Sequence, residues 1–73
     1  MTLHMKLSAR NTLEGIIVDI LKGQTTSHIK LDIGHGNTIT SSITNEAVDE
    51  LGLRVGQTSW AVIKASDVLI AVN

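Results

Sequence analysis

Hydroxyl side chains lead directly into a predicted helix start in residues 41–48, Ser-Ser-Ile-Thr-Asn-Glu-Ala-Val. The first N–H groups of a helix lack partners within it and lie at the positive end of its dipole, so they attract anions. The hydroxyls ahead of them add neutral donors. Residues 8–11 (Ser-Ala-Arg-Asn) and 64–67 (Lys-Ala-Ser-Asp) have the same small, donor-rich character. Three such segments in so short a chain indicate an anion binder, although ordinary turns and helix caps have a similar composition.

The same inventory of residues argues against catalysis. An enzyme would need a nucleophile beside a general base, a pair of carboxylates or a metal cluster, and the spacing indicates none of these. The chain has no cysteine, and His4, His28 and His35 fall in three segments without metal-ligand spacing. We therefore expect a binding protein without direct metal-cation ligands and without an organic cofactor.

Length and composition indicate a single domain, residues 1–73, that relies on oligomerisation. A chain of this size buries only about 60% of its unfolded surface. It has no Phe and no Tyr, and Trp60 is its one aromatic residue, so the core must consist of Val, Ile, Leu and Ala. Yet 42% of the residues are hydrophobic and the mean hydropathy is positive. We expect apolar surface to be buried between subunits, with Trp60 as a core or interface anchor.

Charge and hydropathy exclude several partners. Six basic and seven acidic residues give a net charge of −1, whereas nucleic-acid binding normally needs a basic stripe or stacking aromatics. No apolar run approaches the length of a membrane span, and the N-terminus lacks a signal-peptide core. These features predict a cytoplasmic protein with neither nucleic acid nor membrane as partner.

Strand patterns dominate the chain. Residues 15–21 are rich in β-branched side chains, and residues 27–33 alternate between polar and apolar side chains. Both patterns are typical of strands. The predicted strands comprise residues 15–21, 27–33, 38–44, 58–63 and 68–72, preceded by extended structure in residues 6–11. The sequence Gly-His-Gly-Asn at residues 34–37 is a hairpin signal.

One short helix is predicted before the fourth strand, over residues 45–51. We interpret Asn45 as its N-cap, Glu46 as a favourable acidic residue in its first turn and Gly52 as its C-terminal glycine. The order of elements predicts an all-β fold, a small OB-like barrel of five antiparallel strands with one short helix. No proline protects an edge strand, so we expect strand exchange between subunits.

Several stretches resemble the molbindin family, the Mop-type molybdate-binding proteins with a TOBE/Mop domain. The stretches are residues 6–11 (KLSARN), Gly15, residues 22–23 (KG), 42–46 (SITNE), 51–53 (LGL) and 62–68 (VIKASDV). They occur in the family's order, and the resemblance covers residues 6–72. It implies an OB-like barrel, a homohexamer built as a trimer of dimers, and molybdate or tungstate bound where subunits meet.

The resemblance also implies two classes of oxyanion site. The main site comprises Ser8, Arg10, Thr44, Ala47, Lys64, Ala65 and Ser66, with Ala47 offering only its backbone N–H. A second site, around a threefold axis, is associated with Lys22, Gly23, Thr25, Thr26, Ser27 and His28.

Each candidate residue also has a structural interpretation. Arg10 and Lys64 could be ordinary surface cations, and Arg10 could join subunits through Glu46 or Asp67 instead of contacting a ligand. The hydroxyls could cap their own turns, and His28 could be a surface histidine.

Two functions remain open at this point. One is cytoplasmic storage and homeostasis of molybdate or tungstate, and the alternative is a ligand-responsive assembly or regulatory module acting through a partner protein. A molybdopterin carrier lacks support, because Trp60 alone could stack on a pterin.

Overall fold

Alternating burial produces the central strand of the fold. In the computed structural model, which describes residues 8–73, strand β2 (Thr26–Gly34) buries Ser27, Ile29 and Leu31 and exposes the residues between them. This is the period-two pattern of a strand with one covered face. The predicted alternation of residues 27–33 is therefore confirmed.

Four antiparallel strands form one sheet in the order β3-β2-β1-β4. The other elements are β1 (Asn11–Lys22), β3 (Asn37–Thr44), helix α1 (Asn45–Leu51), β4 (Thr58–Ile63) and a 3₁₀ turn (Ala65–Asp67). Within residues 8–73, no helix has the length and hydropathy that crossing a membrane requires. The predicted all-β class with one short helix is confirmed.

A two-residue turn joins β2 to β3. Gly34 pairs with Asn37, and both central residues have positive φ angles, 55° at His35 and 77° at Gly36. Positive φ at both central positions is typical of the type I′ turn, whose twist matches that of the flanking strands. The Gly34 N–H also donates a hydrogen bond to the Asp32 carboxylate at 2.8 Å. The predicted hairpin is confirmed.

β1 is longer than predicted because it pairs with two different strands along its length. Residues 11–16 pair with β4, and residues 16–22 pair with β2. The register with β2 shifts between Ile17 and Asp19, which makes Val18 the extra residue of a β-bulge. A bulge bends its strand and increases the local twist. One continuous strand can therefore belong to both halves of the sheet.

The N-cap of α1 is Thr44, and the prediction of Asn45 was wrong by one residue. Thr44 has extended backbone angles (φ −69°, ψ 151°), and its hydroxyl accepts a hydrogen bond from the Ala47 N–H at 3.1 Å. Threonine and asparagine are both good caps, and only the backbone conformation decides between them. At the other end, Gly52 terminates the helix in the left-handed conformation, as predicted.

The core is small and lies between the sheet and α1. Its buried members are Ile17, Ile29, Leu31 and Val48, and the partly buried residues packed against them are Ile20, Ile33, Ile43, Leu53 and Ala61. All are aliphatic, as the composition required.

Trp60 is half-buried but does not belong to this core. It pairs with Glu14 in the β1–β4 ladder and precedes Ala61, which packs against the core. Successive side chains of a strand point to opposite faces of the sheet. Trp60 therefore lies on the outer face and is not a core anchor. Its predicted role as an interface anchor stays a prediction.

The predicted fifth strand, residues 68–72, is not a strand in the single chain. Its apolar side chains are almost fully exposed, 89% for Leu69, 87% for Ile70 and 91% for Val72. A strand needs a neighbour whose N–H and C=O groups it can bind, and residues 8–73 provide none for this segment. Of the predicted opening segment, residues 6–7 lie outside the described residues, and residues 8–10 are irregular before β1 begins.

Gly15→Ala is expected to destabilise the protein by roughly 2 kcal/mol or more. A Cβ at residue 15 would lie 2.5 Å from the Asp32 carbonyl oxygen and 2.9 Å from Leu31 Cγ. Gly36→Ala is the comparison, because open space surrounds that residue and only its positive φ is unfavourable, at about 1 kcal/mol. Chemical denaturation of both variants at one fixed protein concentration measures the difference. Equal losses would contradict the steric explanation.

Candidate functional site

The turn from β3 into α1 presents a hydroxyl and a backbone amide that bind each other. The Ala47 N–H donates to Thr44 Oγ1 at 3.1 Å, so this amide is free for a ligand only if the cap opens. The Thr44 hydroxyl proton, by contrast, can still be donated to an external acceptor. Because α1 has only seven residues, its dipole is small. The Thr44 hydroxyl is thus the main donor of this turn.

Two other predicted segments meet at the opposite end of the sheet. Asn11 pairs with Ile63 in the β1–β4 ladder, and its side-chain amide donates to the Ile63 carbonyl at 3.2 Å. Arg10 directly precedes Asn11, and Lys64 directly follows Ile63. Adjacent strands lie about 4.8 Å apart. The structure therefore brings the Arg10 and Lys64 segments side by side.

The closing segment forms a tight 3₁₀ turn that exposes its side chains. The Lys64 carbonyl accepts from the Asp67 N–H at 2.9 Å, and the Ala65 carbonyl accepts from the Val68 N–H at 3.2 Å. The candidate residues Ser8, Arg10, Lys64, Ala65 and Ser66 are exposed near this end of the sheet. Their hydroxyl and cationic groups are hydrogen-bond donors.

No carboxylate of residues 8–73 neutralises the charges at this end. Among residues 8–73, the one ion pair joins Lys22 Nζ to Asp49 Oδ1 at 3.0 Å. Neither Arg10 nor Lys64 has a carboxylate within 4.0 Å in that part of the chain. Two like charges on neighbouring strand ends repel each other, and an anion between them removes the repulsion.

The two halves of the predicted main site are not in contact within one chain. Thr44 pairs with Thr26, beside the end of β1 at Lys22, whereas Arg10 and Lys64 lie beyond its other end at Asn11. Within residues 8–73, no side-chain hydrogen bond or ion pair joins these two groups. Within residues 8–73, the predicted main-site residues therefore form two separate groups.

The predicted second site lies in the tight loop between β1 and β2. The Gly23 N–H donates to the Thr26 carbonyl at 2.8 Å, which closes the loop. The side chains of Thr25, Thr26 and His28 are exposed, and His28 pairs with Ser42 in the β2–β3 ladder. The Lys22 ammonium is occupied by Asp49. An anion here would compete with that carboxylate for Lys22.

Ser27 and Asn45 form a buried pair that the sequence analysis missed. Ser27 is fully buried, and its hydroxyl donates to Asn45 Oδ1 at 2.5 Å. The Asn45 amide in turn donates to the Gly23 carbonyl at 2.9 Å. The sequence did contain a signal for the burial of Ser27, because Ser27 lies on the same inward face of β2 as Ile29 and Leu31. A hydroxyl at such a position needs a hydrogen-bond partner.

The predicted main-site residues offer groups that can bind an anion. Their exposed hydroxyls and two cations are hydrogen-bond donors. Among residues 8–73, no three His, Asp or Glu side chains cluster as metal ligands. A tetrahedral oxyanion has only acceptor oxygens and matches this set of donors.

Comparison with known proteins identifies the family. The family model of the TOBE domain matches residues 7–70. The chain belongs to the TOBE domain family. A probable molybdenum-pterin-binding protein of Haemophilus influenzae is 44% identical to this TOBE domain over 69 residues, which are 94% of this chain and 100% of the relative.

Two solved structures share the fold of this TOBE domain. MopII from Clostridium pasteurianum is 43% identical, with a TM-score of 0.85 over 92% of this chain and 100% of MopII. The cytoplasmic molybdate-binding protein ModG, crystallised with molybdate bound, is 45% identical, with a TM-score of 0.85 over 90% of this chain and 47% of ModG. The resemblance to Mop-type proteins that the sequence indicated is confirmed.

Thr44→Val is expected to destabilise this TOBE domain by about 1 kcal/mol, because it removes the acceptor of the Ala47 N–H. Thr44→Ser is the matched control, since it keeps the oxygen and should lose only a few tenths of that value. Denaturant titrations followed by far-UV circular dichroism measure both. If valine and serine were equally tolerated, the observed cap would contribute nothing to stability.

Proposed function

We propose that this TOBE domain binds molybdate or tungstate as the bare oxyanion and stores it in the cytoplasm. The observation that carries the proposal is the pair of cations Arg10 and Lys64, which lie near exposed serine hydroxyls. Neither cation has a carboxylate within 4.0 Å among residues 8–73. The relatives support the choice of anion, since ModG is described as a cytoplasmic molybdate-binding protein. We propose a binding role rather than an enzymatic one, because the exposed hydroxyls and cations can donate hydrogen bonds to an anion.

The chemistry of molybdate fits such a site. Molybdate is a tetrahedral dianion at neutral pH and offers four acceptor oxygens and no proton. A charge-assisted hydrogen bond contributes roughly 1.5–3 kcal/mol. Two or three of them with neutral donors can support micromolar binding, about −8 kcal/mol. Sulfate has the same charge and shape with shorter bonds, so a rigid ring of donors can distinguish the two by size.

A complete main site is proposed to need two chains. One subunit contributes the group Ser8, Arg10, Lys64, Ala65 and Ser66. A neighbouring subunit contributes the Thr44 hydroxyl, and also the Ala47 N–H where the cap hydrogen bond to Thr44 opens. The separation of these groups along β1 supports this arrangement. In a two-fold symmetric dimer the same contact occurs twice, so each interface would hold two sites. We propose that such dimers assemble into a homohexamer, a trimer of dimers.

The second site is proposed for the loop that carries Lys22, Gly23, Thr25, Thr26, Ser27 and His28. Its exposed threonines and His28 are the available side-chain donors. Ser27 is buried against Asn45, so its contribution would be to hold the loop rather than to touch the anion.

The apolar tail supports assembly by strand exchange. Residues 68–72 are exposed, and a groove of about 400 Å³ separates β3 from β4, lined by side chains that include Ile39, Ile43 and Ile63. These two strands are the unpaired edges of the sheet. We propose that the tail of a second copy fills the groove as the fifth strand and completes the barrel, which would give the tail the backbone partners it lacks.

Ile70→Asp is therefore expected to shift the protein from the oligomer towards the monomer, because a buried carboxylate in the groove would be unpaired. Val55→Asp is the matched control, since Val55 is an exposed loop residue outside the groove. Light scattering at micromolar concentration measures the mass of each variant. An unchanged mass for Ile70→Asp would exclude the tail from the interface.

The binding proposal is tested by calorimetric titration with molybdate, with and without excess sulfate, on protein whose mass is known from light scattering. We expect micromolar or tighter binding that sulfate does not displace. Lys64→Ala and Ser8→Ala should each weaken binding about tenfold, within the range of one charge-assisted hydrogen bond, while the mass stays unchanged.

Lys30→Ala is the matched control for Lys64→Ala, because Lys30 is an exposed lysine on β2, in the middle of the sheet. It should bind molybdate like the wild type. Full binding by both Lys64→Ala and Ser8→Ala would overturn the assignment of the main site, and absence of heat with an intact oligomer would overturn the function. That last outcome would favour the alternative, an assembly or regulatory module that acts through a partner protein.

A pterin-bound form of molybdenum is the second candidate ligand, because the Haemophilus influenzae relative is described as molybdenum-pterin-binding. We favour the bare oxyanion, since Trp60 is the only aromatic residue and pairs with Glu14 on the outer face, remote from Thr44 in the sheet register. Quenching of Trp60 fluorescence by a pterin, with an affinity above that for molybdate, would reverse this preference.

A further inference from the structure

A partly buried polar cluster, formed by Ser27, Asn45 and Gly23, ties the β1–β2 loop to the start of α1. Ser27 is the one buried polar side chain within residues 8–73, and its hydroxyl donates to Asn45 Oδ1 at 2.5 Å. The other side of the same amide donates to the Gly23 carbonyl at 2.9 Å. Both polar atoms of the Asn45 side chain are therefore occupied, which fixes its orientation.

The backbone reinforces the same connection. The Asn45 N–H donates to the Thr25 carbonyl at 2.9 Å, which extends the β2–β3 ladder past the end of both strands. The loop itself is closed by the Gly23 N–H on the Thr26 carbonyl at 2.8 Å. A Cβ at residue 23 would lie 2.9 Å from the Thr26 carbonyl oxygen, so the loop is already at its closest approach. Asn45 thus holds a loop that has little freedom of its own.

This cluster joins two segments to which oxyanion binding has been assigned. Thr44, the hydroxyl of the main site, directly precedes Asn45, and Gly23 and Thr25 belong to the loop of the second site. We propose, on the basis of the function proposed above, that Asn45 is a positioning residue that determines the selectivity for molybdate over sulfate. It acts through Ser27 and Gly23 by holding the Thr44 hydroxyl at a fixed distance from the loop.

The physical reason is the similarity of the two anions. They have the same charge and shape, so a donor on a mobile segment can follow the shorter bonds of sulfate and bind both equally well. A donor whose backbone is held from two sides cannot move to the smaller anion without breaking a buried hydrogen bond. Rigidity of the Thr44 turn therefore contributes to discrimination rather than to affinity alone.

A purely structural role predicts a different result. If Asn45 only stabilised the fold, its loss would lower the stability or the assembly, and any effect on binding would be similar for molybdate and sulfate. The ratio of the two affinities separates these possibilities, since global stability does not enter it once the protein is assembled.

The test uses two charge-neutral variants of the full chain, Asn45→Ala and Ser27→Ala, and Asn37→Ala as a control. Asn37 is an exposed asparagine at the opposite end of β3 from Thr44. Each protein is checked by light scattering and titrated calorimetrically with molybdate and with sulfate. Ser27→Ala removes a single buried hydroxyl and serves as the second variant if Asn45→Ala does not fold. Amide hydrogen exchange of residues 23 and 45 in anion-free protein measures how firmly the Asn45 contacts hold the loop to the helix start.

We expect faster exchange at both amides and a molybdate-to-sulfate affinity ratio about tenfold lower in each variant, which corresponds to roughly 1.4 kcal/mol. The Asn37→Ala control should keep the wild-type ratio. Faster exchange with an unchanged affinity ratio would overturn the positioning role. Unchanged exchange would show that the Asn45 contacts do not hold the loop to the helix start. If the wild type binds no molybdate, the proposed function fails together with this selectivity role, whereas variants that match a binding wild type would overturn only the role of Asn45.

Discussion

The pairing of β1 with two different strands is the constraint on which the rest of the structure depends. The first half of β1 pairs with β4 and the second half pairs with β2, and the strand bends at the extra residue Val18. Because β2 then carries β3 on its far side, the sheet ends in two unpaired edges, β3 and β4. The same strand places the Arg10 and Lys64 segments beyond one end and the Thr44 turn beside the other. The two unpaired sheet edges and the separation of the donor groups therefore have one origin.

A four-stranded sheet with two unpaired edges explains why so short a chain carries so much exposed apolar surface. Among residues 8–73, the buried hydrophobic side chains are only Ile17, Ile29, Leu31 and Val48, while the apolar tail of residues 68–72 stays in solvent. A chain of this size has little core to oppose the entropy of folding. The proposed exchange of tails would add core and complete the anion sites through the same contacts, so stability and function would both depend on assembly.

Prediction from sequence succeeded where a local pattern is sufficient. The alternation in β2, the Gly-His-Gly-Asn hairpin and the glycine that ends α1 are set by side-chain parity and by positive φ, which neighbouring residues encode. It failed by one residue at the N-cap, because Thr44 and Asn45 are chemically equivalent candidates and the choice depends on the backbone path out of β3. With Thr44 as the cap, the Asn45 side chain is left to bind Ser27 and Gly23. The burial of Ser27 could be predicted from its place in the alternation with Ile29 and Leu31, but its hydrogen-bond partner could not.

The sequence by itself determined the class of the protein: a small, mainly β domain of the TOBE family with donor-rich segments. These properties follow from residue type and short-range periodicity. Only the tertiary structure decided which segments become neighbours, since that depends on register and on the bulge at Val18. It placed Arg10 beside Lys64, separated both from Thr44, buried Ser27 against Asn45 and left residues 68–72 unpaired. Each of these outcomes comes from backbone pairing between distant residues, which no local pattern encodes.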